Sequence, residues 1–355
     1  MTAFAAMGIP AARQDALRAL VLVAATVGGG ALLSFLAPPL EHRIGKALDD
    51  PDRLDLETAR ELHRAVTTLR HGPEGAVPFA RLQTAVAPMV EAMRRLLAGR
   101  QPAAVRQELC TAAALCFSFA ARVAFELHDD ASASALYDDA TGVAANLPGS
   151  WLLAATLTSQ SMVTMYATGD RPAALGLAGQ SVEHALRSGS DVARARAFAI
   201  QSEMQARGGD ERRSLRALEL ARLHLAGDAS GDPGQSVFNQ ARLNGFEGLC
   251  RLQLGHVDAA QVELRRSADA IDSAKSTVQR SIILVDLARA HVHQGDPESG
   301  CDILGTAAGS IAATRGRVAT QRLHQVRRDL EPWRAERFVR DLDARLLSAA
   351  LFSAS

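Results

Sequence analysis

Polar side chains interrupt a series of apolar, helix-like segments in the second half of the sequence. Amides and guanidinium groups at such positions offer the hydrogen-bond donors that hold an extended peptide or a small polar ligand. We expect eight of them to form a binding face: Gln201, Gln205, Asn239, Arg242, Asn244, Arg251, Gln279 and Arg280. Asn244 and Arg251 are the strongest pair, because a seven-residue separation keeps both on one face of a helix. Other polar positions of first helices extend the same hypothesis: Thr158, Gln160, Ser161 and Glu203, the last of which lies between Gln201 and Gln205.

The sequence shows no pattern that favours catalysis or metal binding. His291 and His293 are two residues apart, so on a helix they point about 200° apart and do not share a metal. We interpret them as polar positions at the exposed end of a helix. His128 precedes two aspartates at a turn, which suits helix capping. The glycines at 28–30 lack the spacing of a nucleotide-binding loop. We therefore expect no enzyme activity, no cofactor and no metal.

Composition excludes further classes of protein. The 355 residues are 48% hydrophobic and only 4% aromatic. So few aromatic residues argue against a β-sandwich and against a platform for stacking nucleic-acid bases. The formal net charge is zero, so no overall field attracts DNA or an anionic membrane. We expect no direct contact with nucleic acid.

Cysteine usage is compatible with a cytoplasmic protein. The four cysteines lack metal-site spacing and fall in apolar helical stretches: Cys110, Cys116, Cys250 and Cys301. A thiol in such a position behaves as a small hydrophobic group. We expect all four to be free, reduced and buried.

An uncharged N-terminal stretch leaves three alternatives open. Residues 19–40 carry no charge and follow Arg13 and Arg18. About 20 apolar residues are enough to span a bilayer. We favour a linker helix packed on a cytoplasmic protein, because glycines interrupt the stretch and two prolines end it. A membrane anchor formed by residues 19–36 is the main alternative, and a cleaved signal segment is the third.

A turn motif recurs through the chain at a nearly fixed interval. The five occurrences are Asp129-Asp130, Gly169-Asp170, Gly209-Asp210, Gly255-His256 and Gly295-Asp296. Their spacings are 40, 40, 46 and 40 residues, and the polar stretch 227–236 accounts for the extra six. A repeat of this length is typical of stacked helical hairpins.

Small residues at two fixed offsets support the repeat. The fifth residue after each turn start is small: Ser134, Ala174, Ser214, Ala260 and Gly300. The twelfth is small as well: Thr141, Ser181, Ala221, Ser267 and Ala307. Both offsets fall on one face of the second helix, where two helices need small side chains to approach closely.

The hairpins and their flanking helices define the predicted organisation. The paired helices are expected at 103–127 with 131–146, 150–167 with 172–187, 191–207 with 211–226, 237–253 with 258–272, and 276–293 with 297–313. Capping helices are expected at 40–48, 56–70 and 78–97 on one side, with a kink at Pro88, and at 318–330 and 334–347 on the other. The segments are thus 1–40 (linker), 41–100 (N-terminal cap), 101–314 (five repeats) and 315–355 (C-terminal cap).

The hairpins, their Gly-Asp turns and their small residues resemble tetratricopeptide repeats (TPRs). The layout is also similar to the C-terminal regulatory region of actinobacterial helix-turn-helix transcriptional regulators, in which an Arg-flanked apolar linker leads to helical repeats. Those repeats end near motifs like Leu330-Glu331-Pro332-Trp333-Arg334 and Val339-Arg340-Asp341-Leu342-Asp343. The resemblance implies an all-α, right-handed α-solenoid of about five hairpins. Such regulators begin with a DNA-binding domain, for which the residues before Arg13 are too few.

These features together predict a non-enzymatic regulatory, sensor or scaffold protein. Its concave groove is expected to bind a peptide, a small signal molecule or a protein partner. A membrane-tethered adaptor built on the same repeats is the alternative. A third hypothesis is DNA contact through residues 315–345, which hold nine arginines and five acidic residues.

Overall fold

The computed structural model describes residues 38–71, 77–149, 151–227, 230–234, 238–271 and 276–351. All regular secondary structure in these ranges is helical, which confirms the predicted all-α class. The chain divides into two compact units, 1–148 and 149–355. Residues 1–37 lie outside the described residues, and so do the linker, anchor and signal interpretations that depend on them.

The described residues of the first unit form five α-helices. They are α1 (Pro38–Asp49), α2 (Leu56–His71), α3 (Phe79–Leu97), α4 (Ala103–Glu126) and α5 (Asp130–Ala144), with a short 3-10 helix at Pro51–Arg53. The helices α2 and α3 pack on α4, and α4 pairs with α5. The helix α3 is one continuous element through Pro88, where the sequence predicts a kink.

The helix α4 forms the centre of the first unit. It is the one helix of the described ranges that is long and apolar enough to cross a membrane. However, 72% of its most apolar window is buried inside the fold. A helix in the core of a packed domain is buried to this degree.

In the part of the second unit that the structure describes there are ten α-helices. They are α6 (Trp151–Thr168), α7 (Arg171–Arg187), α8 (Asp191–Ala206), α9 (Glu211–Leu225), α10 (Gln240–Gln253), α11 (Val257–Ala270), α12 (Thr277–His293), α13 (Pro297–Thr314), α14 (Arg317–Asp329) and α15 (Arg337–Ser348). A 3-10 helix at Glu331–Trp333 separates the last two. The first eight helices form four hairpins, and the first helix of each later hairpin packs on the hairpin before it. The helices α14 and α15 cover α12 and α13.

Four of the turns lie at the predicted positions and share one backbone conformation. Gly169, Gly209, Gly255 and Gly295 all have positive φ, which glycine adopts at little steric cost. The next residue is the N-cap of the second helix in every case, and at Asp170, Asp210 and Asp296 its carboxylate accepts a backbone N–H.

The predicted register of the first hairpin is wrong by one residue. His128 occupies the left-handed position that glycine has elsewhere, with φ of 63°. Asp129 is the N-cap and accepts a hydrogen bond from the Ser132 N–H at 3.1 Å. The small buried positions are therefore Ala133 and Ala140, whereas the predicted Ser134 is exposed. The turn start at 128 makes the first spacing 41 residues. Helix capping, as predicted, explains the aspartate at this turn, because Asp129 caps α5.

The small residues of the other hairpins are buried as predicted. Ala174, Ala221 and Ala260 are completely buried. Several of the serines also bond across the hairpin: Ser181 donates to the Ala154 carbonyl at 3.0 Å, and Ser267 to that of Ala241 at 2.6 Å. Small residues thus allow close helix approach, and a hydroxyl adds a link between the two helices.

The polar stretch between α9 and α10, which lengthens the repeat there, is hydrogen-bonded to the beginning of α8. Asp232 accepts hydrogen bonds from the Ser190 hydroxyl at 2.6 Å and from the Val192 N–H at 3.1 Å. Its carboxylate therefore satisfies donors at the beginning of α8. The predicted segment boundaries at 40, 100 and 314 stay predictions. The division into compact units falls at 148, inside the predicted repeat region.

Candidate ligand-binding site

Five side chains from four helices of the second unit form a buried polar network, which we name the inner cluster. Tyr166 comes from α6, Glu203 and Arg207 from α8, Asp286 from α12 and Arg322 from α14. The Tyr166 hydroxyl donates to Glu203 Oε1 at 2.8 Å and accepts from Arg207 Nη2 at 2.6 Å. It also accepts from Arg322 Nη2. Arg322 in turn donates to Asp286, so the three hairpins and the C-terminal cap that supply these residues meet around the Tyr166 phenol and the Arg322 guanidinium.

The two guanidinium groups are held by carboxylates and by the aromatic ring. Arg207 donates to Glu203 Oε1 through Nε at 3.0 Å and through Nη2 at 2.9 Å. Arg322 donates to Asp286 and lies 3.8 Å from Glu203 Oε1. The Cζ atoms of Arg207 and Arg322 lie 4.8 and 5.4 Å from the centroid of the Tyr166 ring, within the range of a cation–π contact.

The inner cluster is almost closed to solvent. The side chains of Glu203 and Asp286 are 0% and 5% exposed, and those of Arg322 and Arg207 are 11% and 19% exposed. Two buried atoms, Glu203 Oε2 and Arg322 Nε, have no hydrogen-bond partner. Buried polar atoms are nearly always satisfied in folded proteins. The network therefore retains one free acceptor and one free donor.

Burial and neighbouring positive charges have opposite effects on the pKa values of Glu203 and Asp286. Burial alone would raise the pKa of Glu203, but the charges of Arg207 and Arg322 outweigh it and hold the pKa below its usual value. At Asp286 burial outweighs the attraction of Arg322, and the pKa is raised. Burial raises the pKa of Tyr166 to about 12. The phenol therefore stays protonated and donates a hydrogen bond to Glu203.

A second ion group adjoins the same helices. Asp329 of α14 accepts from Arg289 Nε at 2.8 Å and lies 3.0 Å from His293 Nε2. Both partners belong to α12. The contact therefore fixes the cap helix α14 on the last hairpin at a second point.

The predicted binding residues of α8 lie away from the inner cluster. Gln201 and Gln205 are each two residues from Glu203, so they point about 200° away from it around the helix. Both are half-buried. The predicted face thus combines two opposite sides of α8.

The strongest predicted pair, Asn244 and Arg251, has local partners. Asn244 Oδ1 accepts from Gln240 Nε2 at 2.7 Å. Arg251 Nε donates at 2.9 Å to Glu247, a buried acid that Arg222 of α9 also binds. Arg251 therefore lies at the contact between α9 and α10.

The remaining predicted residues lie at helix beginnings. Asn239 is the N-cap of α10, and its side chain accepts from the Arg242 N–H at 3.1 Å. Gln279 and Arg280 are half-buried in the first turn of α12. None of the eight predicted residues belongs to the inner cluster, and their role in binding stays a prediction.

Three further predicted polar positions have structural partners. Thr158 is buried against Ser181, with 2.6 Å between their hydroxyl oxygens, and Ser161 donates to the Ala174 carbonyl at 2.7 Å. Each hydroxyl thus joins the two helices of its own hairpin. His291, predicted to be exposed, is only 8% exposed, and its Nδ1 lies 3.2 Å from Asp296 Oδ2. The prediction of an exposed position is wrong there because Gln261 and Arg265 of α11 lie against the ring, 2.7 and 3.1 Å from its Nε2.

Sequence reasoning missed most of the inner cluster. Of its members it considered only Glu203, as a polar position on a first helix. One available signal was an acid inside an apolar segment, as Asp286 is within SIILVDLARA. Another was the rarity of tyrosine, since Tyr166 is one of two in the chain. No group of three or more His, Cys, Asp or Glu side chains in the described ranges is arranged to hold a metal.

No family model matches this chain, and no curated protein does. Among solved structures, the crystal structure of a Rap protein complexed with Competence and Sporulation Factor is similar, with a TM-score of 0.49 and 11% sequence identity. That similarity covers 88% of this chain and 98% of the other. These comparisons assign the chain to no family.

Proposed function

We propose that the second unit is a non-enzymatic, TPR-like binding module that acts as a regulatory, sensor or scaffold domain. Its ligand is a peptide, a small signal molecule or a segment of a protein partner. The ligand binds on the side of the first helices that carries the inner cluster. The observation behind this proposal is the burial of Glu203, Asp286 and Arg322 in one network.

Stability alone does not account for these buried charges. Removing a charged pair from water costs several kcal/mol per ion, and apolar residues of similar size are often as stabilising. The free acceptor on Glu203 and the free donor on Arg322 add to this cost. A peptide carries both donors and acceptors along its backbone and would satisfy atoms of both kinds.

The position of Arg322 suggests how binding is transmitted. Arg322 belongs to the cap helix α14, and its partners belong to α6, α8 and α12. A ligand that takes over the partners of Arg322 weakens the hold on α14. Such a ligand favours the state in which α14 is released, because it binds that state more tightly.

The test is selection of peptides on the purified full-length chain. A random dodecapeptide display library is selected on the wild type, and enriched sequences are synthesised and titrated by calorimetry. We expect at least about a tenfold loss of affinity in Glu203→Gln and Asp286→Asn, because each change removes a charge-assisted hydrogen bond. The matched control is Arg216→Gln, which changes an exposed ion pair on α9.

Failure has a clear form in this experiment. If no enriched peptide gives saturable binding, the peptide-binding proposal is wrong. It is also wrong if both inner-cluster variants remain folded by circular dichroism and bind the peptide as tightly as the wild type.

We also propose that the protein is cytoplasmic, with attachment through residues 19–36 as the alternative. Cell fractionation separates the two. Recovery of the full-length chain in the soluble fraction without detergent rejects the anchor, and recovery only with detergent rejects the cytoplasmic proposal.

A further inference from the structure

The first unit contains a cavity of about 680 Å³ that the inner cluster does not involve. It lies where α4 begins and where α3 and α5 end. Its lining includes Leu97, Arg106, Cys110, Gly142, Val143 and Leu147. Pockets for small organic ligands have volumes of roughly 300 to 1,000 Å³. The cavity is therefore large enough for such a molecule.

The lining combines apolar walls with one positive charge. The α4 residues 103, 106, 107 and 110 recur at helical spacing and form one face. Leu97, Val143 and Leu147 supply larger apolar groups. Arg106 is the only Arg, Lys, Asp or Glu in the lining, so the one formal charge on the cavity wall is positive.

Arg106 is held in place by uncharged groups. Its Nη1 donates to the Leu97 carbonyl at 2.6 Å and to the Gly99 carbonyl and Gln101 Oε1, each at 3.2 Å. Within the described ranges no carboxylate forms an ion pair with it. Nη1 makes all three of these contacts, and the guanidinium also forms a hydrogen bond with the Cys110 side chain in the lining. A guanidinium has five N–H donors, so donor capacity remains for a ligand.

We propose that this cavity binds a small amphipathic carboxylate, with the carboxylate on Arg106 and the apolar part against Leu97, Val143 and Leu147. A guanidinium fork matches a carboxylate in geometry and charge. A single arginine balances one negative charge, which fits a carboxylate better than a doubly charged phosphate. The absence of acidic side chains from the lining means that nothing in it repels the ligand.

The test uses two acids of different shape on the full-length chain, dodecanoate and 1-naphthoate, with their neutral amides as controls. We expect calorimetry to show saturable binding of at least one acid, and binding of its amide at least about tenfold weaker. The tighter acid identifies the apolar part as an acyl chain or as an aromatic ring.

Two variants make the assignment specific. Arg106→Gln should bind the acid and its amide equally, because it lacks the charge that distinguishes them. Gly142→Phe should lose binding, because a Cβ at Gly142 meets no atom within 4 Å and a larger side chain enters open space beside the cavity. Circular dichroism verifies that both variants are folded.

Three results would overturn the proposal. They are no binding of either acid to the wild type, an unchanged preference for acid over amide in folded Arg106→Gln, and undiminished binding in folded Gly142→Phe. Because Arg106 and Gly142 both belong to the first unit, the two variants leave the inner cluster unchanged, and their outcome is independent of the peptide test.

Discussion

Arg322 donates a hydrogen bond to the hydroxyl of Tyr166, 156 residues earlier in the chain. The same hydroxyl donates to Glu203 and accepts from Arg207. Arg322 also binds Asp286. Side chains from four helices of the second unit thus meet at one guanidinium and one phenol. Substitution of either group should therefore reduce stability by more than the loss of a single ion pair does.

Arg322→Met should destabilise the second unit strongly. The variant leaves Asp286 without its partner, and breaking one side of a buried pair costs about 3–5 kcal/mol. Arg322→Met with Asp286→Leu should regain most of that loss, because no unpaired charge is left. The free energy of unfolding in urea is measured by tryptophan fluorescence, which reports on this unit because Trp151 and Trp333 both belong to it. A double variant less stable than the single one would contradict this account.

An exposed ion pair supplies the control for that experiment. Arg216 and Glu219 are one turn apart on α9, with side chains 69% and 59% exposed. Arg216→Gln should change the free energy of unfolding by less than about 1 kcal/mol, because water already solvates both charges.

Two glycine substitutions should have opposite effects on stability. A Cβ at Gly248 would lie 2.5 Å from Leu264 Cγ and 3.0 Å from the Leu264 backbone nitrogen, so Gly248→Ala should cost about 1–3 kcal/mol. A Cβ at Gly176 meets nothing within 4 Å, so Gly176→Ala should gain about 0.5–1 kcal/mol from helix propensity. Urea unfolding followed by tryptophan fluorescence measures both. Equal effects would show that α10 and α11 are not in close contact at Leu264.

Glu247 should make stability depend on pH. Burial would raise its pKa, but hydrogen bonds from Arg222 and Arg251 outweigh it and lower the pKa below 4.5. A carboxyl with a depressed native pKa stabilises the fold above its unfolded pKa, and this stability is lost as pH falls through the native value. The difference in unfolding free energy between wild type and Glu247→Gln should therefore shrink between about pH 6 and about pH 3. A difference that grows over this range would contradict the lowered pKa.

His128→Gly should stabilise the first unit. His128 has positive φ, which costs a residue with a side chain roughly 1 kcal/mol relative to glycine. The melting temperature by circular dichroism should rise for the glycine variant. His128→Ala, which keeps the Cβ, is the matched control and should give no such rise.

The hairpins could be predicted because they follow from local chemistry. A glycine with positive φ, an N-cap and two small buried residues recur with each turn, and each of these is a property of a few neighbouring positions. The first hairpin was misplaced by one residue because His128 occupies the position where the other turns have glycine. Two consecutive aspartates follow it, and the sequence does not distinguish which one caps the helix.

The inner cluster could not be predicted in the same way. Its members lie on four helices, and their meeting depends on how far each hairpin is rotated relative to the last. A polar residue on a first helix has several uses: Arg251 binds an acid of its own helix, and Asn239 is a cap. The prediction treated all such residues as one face. The two-residue spacing of Gln201 and Glu203 was enough to separate them.

The Tyr166–Arg322 contact has a consequence for local opening of the second unit. In a linear array whose repeats touch only their neighbours, the end repeats fray independently. Here local unfolding of α14 and local unfolding of α6 both break the buried hydrogen bond between Arg322 and Tyr166. Neither helix therefore opens without a loss of stabilising contacts for the other. Amide protons of these two helices should therefore exchange with solvent at similar, slow rates, as one cooperative block.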